Sequence, residues 1–118
     1  MYKFLVVDDE EDIREIIQMS LEEEFECEID VAEDGLEAFL LAKDKFYDLM
    51  TVDFAMPYLN GVDFVEALKN KENKCKKSGI LMISGRIDEV DNYGNLLFFE
   101  KPFNIRKIVS FAKYLLKK

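Results

Sequence analysis

Phe4-Leu5-Val6-Val7-Asp8-Asp9-Glu10-Glu11-Asp12 is the stretch that decides how this chain folds. Four consecutive apolar residues, β-branched at the end of the run, leave no polar face. They read as a strand covered on both sides, as in a parallel sheet. The run stops in five acids, which suit the first turn of a helix, where the dipole favours negative charge. Ile13, Ile16, Ile17, Leu21 and Phe25 then recur at helical spacing and predict an amphipathic helix.

The same alternation continues outward. Cys27, Ile29 and Val31 alternate with charged residues and predict a second strand, half exposed and at a sheet edge. After Asp34-Gly35, Leu36, Phe39 and Leu40, with Ala38 and Ala42, predict a second helix. A third strand is centred on Leu49 to Val52. Pro57 and Gly61 mark a loop, and Phe64, Val65 and Leu68 begin a third helix that dissolves into polar residues 70–77. Ile80 to Ile83 and Leu96 to Phe99 predict a fourth and a fifth strand. Ile105, Ile108, Val109, Ala112, Leu115 and Leu116 share one face of a last helix, with Phe111 and Tyr114 off that stripe.

Strand and helix alternate five times. That order predicts an α/β fold over residues 1–118: a five-stranded parallel sheet, order 2-1-3-4-5, with right-handed crossovers and helices on both faces. Only residues 85–95 join the last two strands. A crossover needs about a dozen residues, so the fourth helix is expected to be shortened, to little more than Glu89 to Tyr93.

Composition removes several classes of function. Twenty-five acids against 16 bases give a formal charge of −9, which argues against nucleic acid and anionic membrane as partners. The chain holds no histidine and 2 cysteines, Cys27 and Cys75, far apart in sequence. A zinc site or a histidine-assisted nucleophile is therefore not expected. No apolar run approaches membrane-spanning length and the start does not read as a signal peptide, so a cytoplasmic location is expected.

In open parallel sheets, chemistry gathers beyond the carboxyl ends of the strands. Strand one ends in Asp8-Asp9, strand three in Asp53, strand four in Ser84-Gly85, and strand five in Glu100-Lys101-Pro102. In the order above, these four ends are neighbours and bring three carboxylates, a hydroxyl and an ammonium to one pocket. Three adjacent carboxylates repel unless a cation intervenes, and an all-oxygen site with waters suits Mg²⁺. A carboxylate held between a divalent cation and an ammonium can attack phosphorus. Taken singly, each group is ordinary: a helix start, a strand-end cap, a turn, a surface lysine.

Val6-Val7-Asp8-Asp9-Glu10, residues 48–53 (DLMTVD), Met56-Pro57 with Asn60-Gly61, Ile83-Ser84-Gly85 and Lys101-Pro102-Phe103 together resemble response-regulator receiver domains of two-component signalling, in order and over the whole chain. The resemblance implies the flavodoxin-like receiver fold and a phosphorylation switch. It makes Asp53 the phosphoacceptor, and Asp9, Asp8 and the Ala55 carbonyl, with Asp53, the Mg²⁺ site. Ser84 stands where a hydroxyl moves toward the phosphoryl group, and Lys101 where a lysine pairs with it. Phe98 matches a position that rotates on activation in many receivers; equally, it reads as a core aromatic of strand five. Arg86 stands where a residue tunes hydrolysis, or is a solvated helix-start residue. The short segment after Ser84 resembles receivers associated with hybrid histidine kinases.

Two rival readings are weaker. A haloacid-dehalogenase-type phosphatase needs a second Asp two positions after the nucleophile, where this chain has Ala55. A pseudo-receiver that only binds partners would lack one of the acids or the lysine, and all are present. The expected partners are a sensor histidine kinase or histidine phosphotransfer protein and a downstream protein not named by the sequence. The chain is expected to be a monomer, and to be no enzyme beyond catalysing its own phosphorylation and dephosphorylation. It is either a single-domain regulator or a piece of a longer protein.

Overall fold

Helical and extended segments alternate along the computed structural model, which describes residues 1–53, 63–64, 66–67, 79–84, 96–100 and 105–116, with backbone alone for residues 84, 96–100 and 105. In chain order these are β1 (Tyr2–Val7), α1 (Glu11–Glu24), β2 (Cys27–Ala32), α2 (Gly35–Ala42), β3 (Leu49–Asp53), β4 (Gly79–Ser84), β5 (Leu96–Glu100) and the last helix, α3 (Ile105–Leu116). Asp63, Phe64, Glu66 and Ala67 also have helical backbone. The strands pair in parallel, in the order β2-β1-β3-β4-β5. The fourth crossover, and with it the expected shortened helix, lies outside the described residues.

Side chains alternate across a strand, so each strand feeds two cores. Leu5, Val7, Met50, Val52, Ile80 and Met82 pack on one face of the sheet with Ala38 and Ala42 of α2 and with Phe64. Phe4, Val6, Leu49, Leu81 and Ile83 pack on the other with Ile17 and Leu21 of α1 and Ile108, Ala112 and Leu115 of α3. Helices thus cover both faces. Every residue of β3 is buried, as are Phe4 to Val7 of β1. This double burial is why Phe4 to Val7 show no polar alternation, and why Thr51 of β3 is buried along with its apolar neighbours. Gly79 opens β4 where a Cβ would stand 3.2 Å from the Leu115 Cβ; its bare backbone lets α3 close on the sheet.

Two helix faces differ from a simple reading of their apolar residues, and the last helix keeps its stripe. Ile16 is exposed, while Ile17 and Leu21 are buried. Those two lie four residues apart on one line, and Ile16 sits about 100° round the helix from Ile17. In α2 the large residues Leu36 and Leu40 are exposed, and Gly35, Ala38 and Ala42 face inward. Positions 36 and 40 each lie about 200° from Ala38, on the opposite side of the helix. The small residues win because they let α2 approach the sheet closely. Phe25 caps the end of α1 with extended backbone and packs edge-on against Tyr2 and Phe4. In α3, Tyr114 is exposed and Phe111 is partly buried against the core.

Polar pairs pin the opposite end of the sheet. The Lys3 N–H donates to Asp48 Oδ2 at 2.9 Å, and the Asp48 N–H returns to the Lys3 carbonyl at 2.7 Å. The buried Tyr47 hydroxyl donates to Asp30 Oδ2 at 2.6 Å.

Candidate functional site: an acidic pocket at the strand ends

Register alone brings the first two acids together. Val7 pairs with Val52 across β1 and β3, so Asp8 and Asp53 stand level at the strand ends. The Asp8 N–H extends the ladder on the other side by donating to the Ala32 carbonyl at 3.2 Å. Asp8 shares strand parity with Phe4 and Val6, and Asp53 with Leu49, so both fall on the face covered by α1 and α3. Asp9 follows at the turn into α1. One carboxylate oxygen from each of Asp8, Asp9 and Asp53 lies within 4.8 Å of the others.

Asp8 is 0% and Asp53 3% exposed, whereas Asp9 is open to solvent. A buried carboxylate is costly unless hydrogen-bonded or paired with a cation. Asp8 Oδ1 accepts from the Glu10 N–H at 2.9 Å, a charge-assisted bond at the start of α1. The Glu10 side chain itself makes no capping bond, so this bond from its N–H is the side-chain tie at the entry to α1. The donor set is all carboxylate oxygen, partly buried and open on one side through Asp9. Such a set fits a hard divalent cation of the Mg²⁺ kind.

Asp8, Asp9 and Asp53 thus meet as the sequence predicts. Ser84 is the last residue of β4, one step beyond Ile83, the partner of Asp53, and its own partner is Glu100. Phe98 lies in β5 opposite Met82; its side chain is outside the described residues. So are Ala55, Arg86 and Lys101, although Lys101 directly follows Glu100 in sequence.

One residue of this pocket was not singled out from the sequence. Arg14 is only 12% exposed; its Nη1 donates to the Asp8 carbonyl at 2.8 Å and its Nη2 lies 3.9 Å from Glu33 Oε1. The available signal was its place, one helical turn after Glu10 in an otherwise acidic segment.

A parallel sheet with a buried acidic pocket at its carboxyl edge defines the flavodoxin-like receiver fold. The chain belongs to the response regulator receiver domain family, whose model matches residues 4–113. It is 34% identical to the transcriptional regulatory protein ResD of Bacillus subtilis, over 98% of this chain and 48% of ResD. The chain spans about half the length of the curated relatives it matches. Among solved structures it is similar to the chemotaxis protein CheY4 of Vibrio cholerae, with a TM-score of 0.85 and 29% identity, over 98% of this chain and 99% of that one. The fold is shared with the receiver domain of the sensor histidine kinase PA1611 of Pseudomonas aeruginosa, with a TM-score of 0.86 at 19% identity, over 99% and 98% of the two chains. That protein carries a magnesium ion in its active-site cleft. Receiver domains bind Mg²⁺ at an acidic pocket and are phosphorylated by histidine kinases or phosphorelay partners. Among the described residues no helix is long and apolar enough to cross a membrane.

Proposed function

We propose that this chain is a phosphoacceptor switch in which Asp53 takes a phosphoryl group from a sensor histidine kinase or a histidine phosphotransfer protein, in a Mg²⁺-dependent reaction. The observation that carries this reading is the meeting of the buried Asp53 with Asp8 and Asp9 within 4.8 Å. A carboxylate oxygen of Asp53 attacks the phosphorus of the donor phosphohistidine. A P–O bond forms, the P–N bond breaks, and its electron pair leaves on the imidazole nitrogen, which takes a proton from solvent. Bound Mg²⁺ would supply neutralisation of the phosphoryl oxygens. Asp8, Asp9, Asp53 and the Ala55 carbonyl are the groups that would hold it. Ser84 donates a hydrogen bond to a phosphoryl oxygen and Lys101 pairs with another, roles carried over from the family resemblance. Attack by water on phosphorus restores the Asp53 carboxylate and releases inorganic phosphate. The chain acts only on itself, as a signalling phosphoacceptor rather than an enzyme with a separate substrate.

The output is read on the face of β5 and α3. Ser84 moves toward the phosphoryl oxygens, Phe98 rotates inward, and a downstream protein meets the altered face, where the exposed Tyr114 offers an aromatic anchor. The protein works as a cytoplasmic monomer without nucleic-acid or membrane contacts of its own.

With Mg²⁺ and acetyl phosphate the protein gains one phosphoryl mass, and Asp53→Asn does not. EDTA abolishes labelling and leaves the fold intact. Unchanged labelling of the Asp53→Asn protein would overturn the site. Beryllofluoride with Mg²⁺ shifts amide resonances at Phe98 and along α3 without dimer formation; shifts confined to the acidic pocket, or a dimer in sedimentation, would overturn the output reading.

A further inference from the structure

We infer that Arg14 is a positioning residue that sets the cation affinity of the acidic pocket by clamping the Asp8–Asp9 peptide. This rests on the reading of Asp8, Asp9 and Asp53 as the Mg²⁺ site. The Asp8 carbonyl and the Asp9 N–H belong to one rigid peptide plane. Holding that carbonyl fixes the direction in which the chain leaves Asp8 and enters Asp9, and so fixes where both carboxylates project. Arg14 Nη1 donates to this oxygen at 2.8 Å from a side chain only 12% exposed. The arm itself is fixed, because Arg14 lies within α1 and its N–H donates to the Glu10 carbonyl at 3.1 Å.

The far side of the guanidinium reaches Glu33, in the turn between β2 and α2, with Nη2 to Oε1 at 3.9 Å. Arg14 therefore ties the turn after β1 to the turn after β2, next to the bond from the Asp8 N–H to Ala32. Glu33 is largely exposed, so this outer pair is weak in itself. The planar guanidinium aims its N–H at the Asp8 carbonyl in a fixed direction, which a freely rotating ammonium does not reproduce. Arg14 reaches the pocket through the Asp8 backbone carbonyl, so it positions the carboxylates without being a ligand to the metal they would hold. Groups that orient metal ligands in this way typically change affinity by about 10–100-fold when removed.

The test measures Mg²⁺ binding by calorimetry, and separately the Mg²⁺ dependence of phosphoryl uptake from acetyl phosphate. Arg14→Ala is expected to weaken Mg²⁺ binding at least about 10-fold. At saturating Mg²⁺ its maximal uptake rate returns to within about threefold of the unaltered protein, because Asp53 and its neighbours are unchanged. Arg14→Lys recovers only part of the affinity. A purely structural role would lower the melting midpoint and the maximal rate without moving the Mg²⁺ requirement. Unaltered Mg²⁺ affinity in a folded Arg14→Ala protein overturns the inference. If Arg14→Ala does not fold, Arg14→Lys decides: full affinity there overturns it, and a several-fold loss supports it. Failure of the unaltered protein to bind Mg²⁺ would instead sink the site reading, so the two failures are distinct.

Discussion

Asp53→Asn should make the metal-free protein more stable, although it removes the proposed phosphoacceptor. Asp8 and Asp53 are both buried, with carboxylate oxygens within 4.8 Å. At an effective dielectric constant of about 20, two unit charges at that distance repel by about 3 kcal/mol. Small rotations of the side chains and solvent on the open Asp9 side relieve part of this, leaving about 2 kcal/mol. Asparagine keeps the shape and one carbonyl oxygen but removes the charge. For a chain of 118 residues, 1 kcal/mol corresponds to about 4 °C in melting midpoint, so the expected rise is about 8 °C. Thermal unfolding followed by far-ultraviolet circular dichroism in EDTA measures it. Excess Mg²⁺ should then raise the midpoint of the unaltered protein by linkage, and that of Asp53→Asn much less. An Asp53→Asn midpoint in EDTA equal to or below that of the unaltered protein would show that repulsion between these carboxylates is not a significant cost in this fold.

Other outcomes follow from the packing. Leu40→Gln should change stability by less than about 0.5 kcal/mol, whereas Ala42→Leu should cost about 1–3 kcal/mol by overpacking; urea titration of both checks which face of α2 meets the sheet. Tyr47→Phe removes the 2.6 Å bond to Asp30 and should cost about 1–2 kcal/mol in the same assay, with Mg²⁺ affinity unmoved because the two sites lie at opposite ends of the sheet. Burial pushes the Cys27 thiol above the ordinary cysteine range, and Glu22 pushes it the same way. At mildly alkaline pH its thiolate fraction is therefore lower than that of an unfolded chain, so alkylation in the native state should be slower, should rise with pH, and should accelerate in urea. Equal native and unfolded rates at mildly alkaline pH, corrected for access, would contradict this.

What could be read from the sequence depended on how directly residue type reports environment. Phe4 to Val7 have no polar position to hide and Leu49 to Val52 only Thr51, so burial on both faces was legible, and Asp8 and Asp53 at their ends followed from strand length alone. The edge placement of β2 was legible for the converse reason, its charged alternation. The inward face of α2 was not. Leu36 and Leu40 outweigh Ala38 and Ala42 in hydrophobicity, but distance to the sheet decides that contact, and periodicity carries no information about distance. Arg14 escaped notice for a similar reason. Its partner is a backbone oxygen, and a carbonyl leaves no mark in the sequence.

The position of β1 between β2 and β3 also sets a schedule for assembly. Residues 2–32 leave the ribosome before residues 49–53, and the β1-α1-β2 unit is built from near neighbours in sequence, the kind of contact that forms quickly. Until β3 arrives, Phe4 to Val7 present an unsatisfied row of backbone donors and acceptors along one side, an edge that attracts any other extended chain. Docking of Leu49 to Val52 seals that row, and the same event carries Asp53 up against Asp8. The step that protects the nascent chain from aggregation is thus the one that must force two like charges together, and a divalent cation present during synthesis would ease both at once.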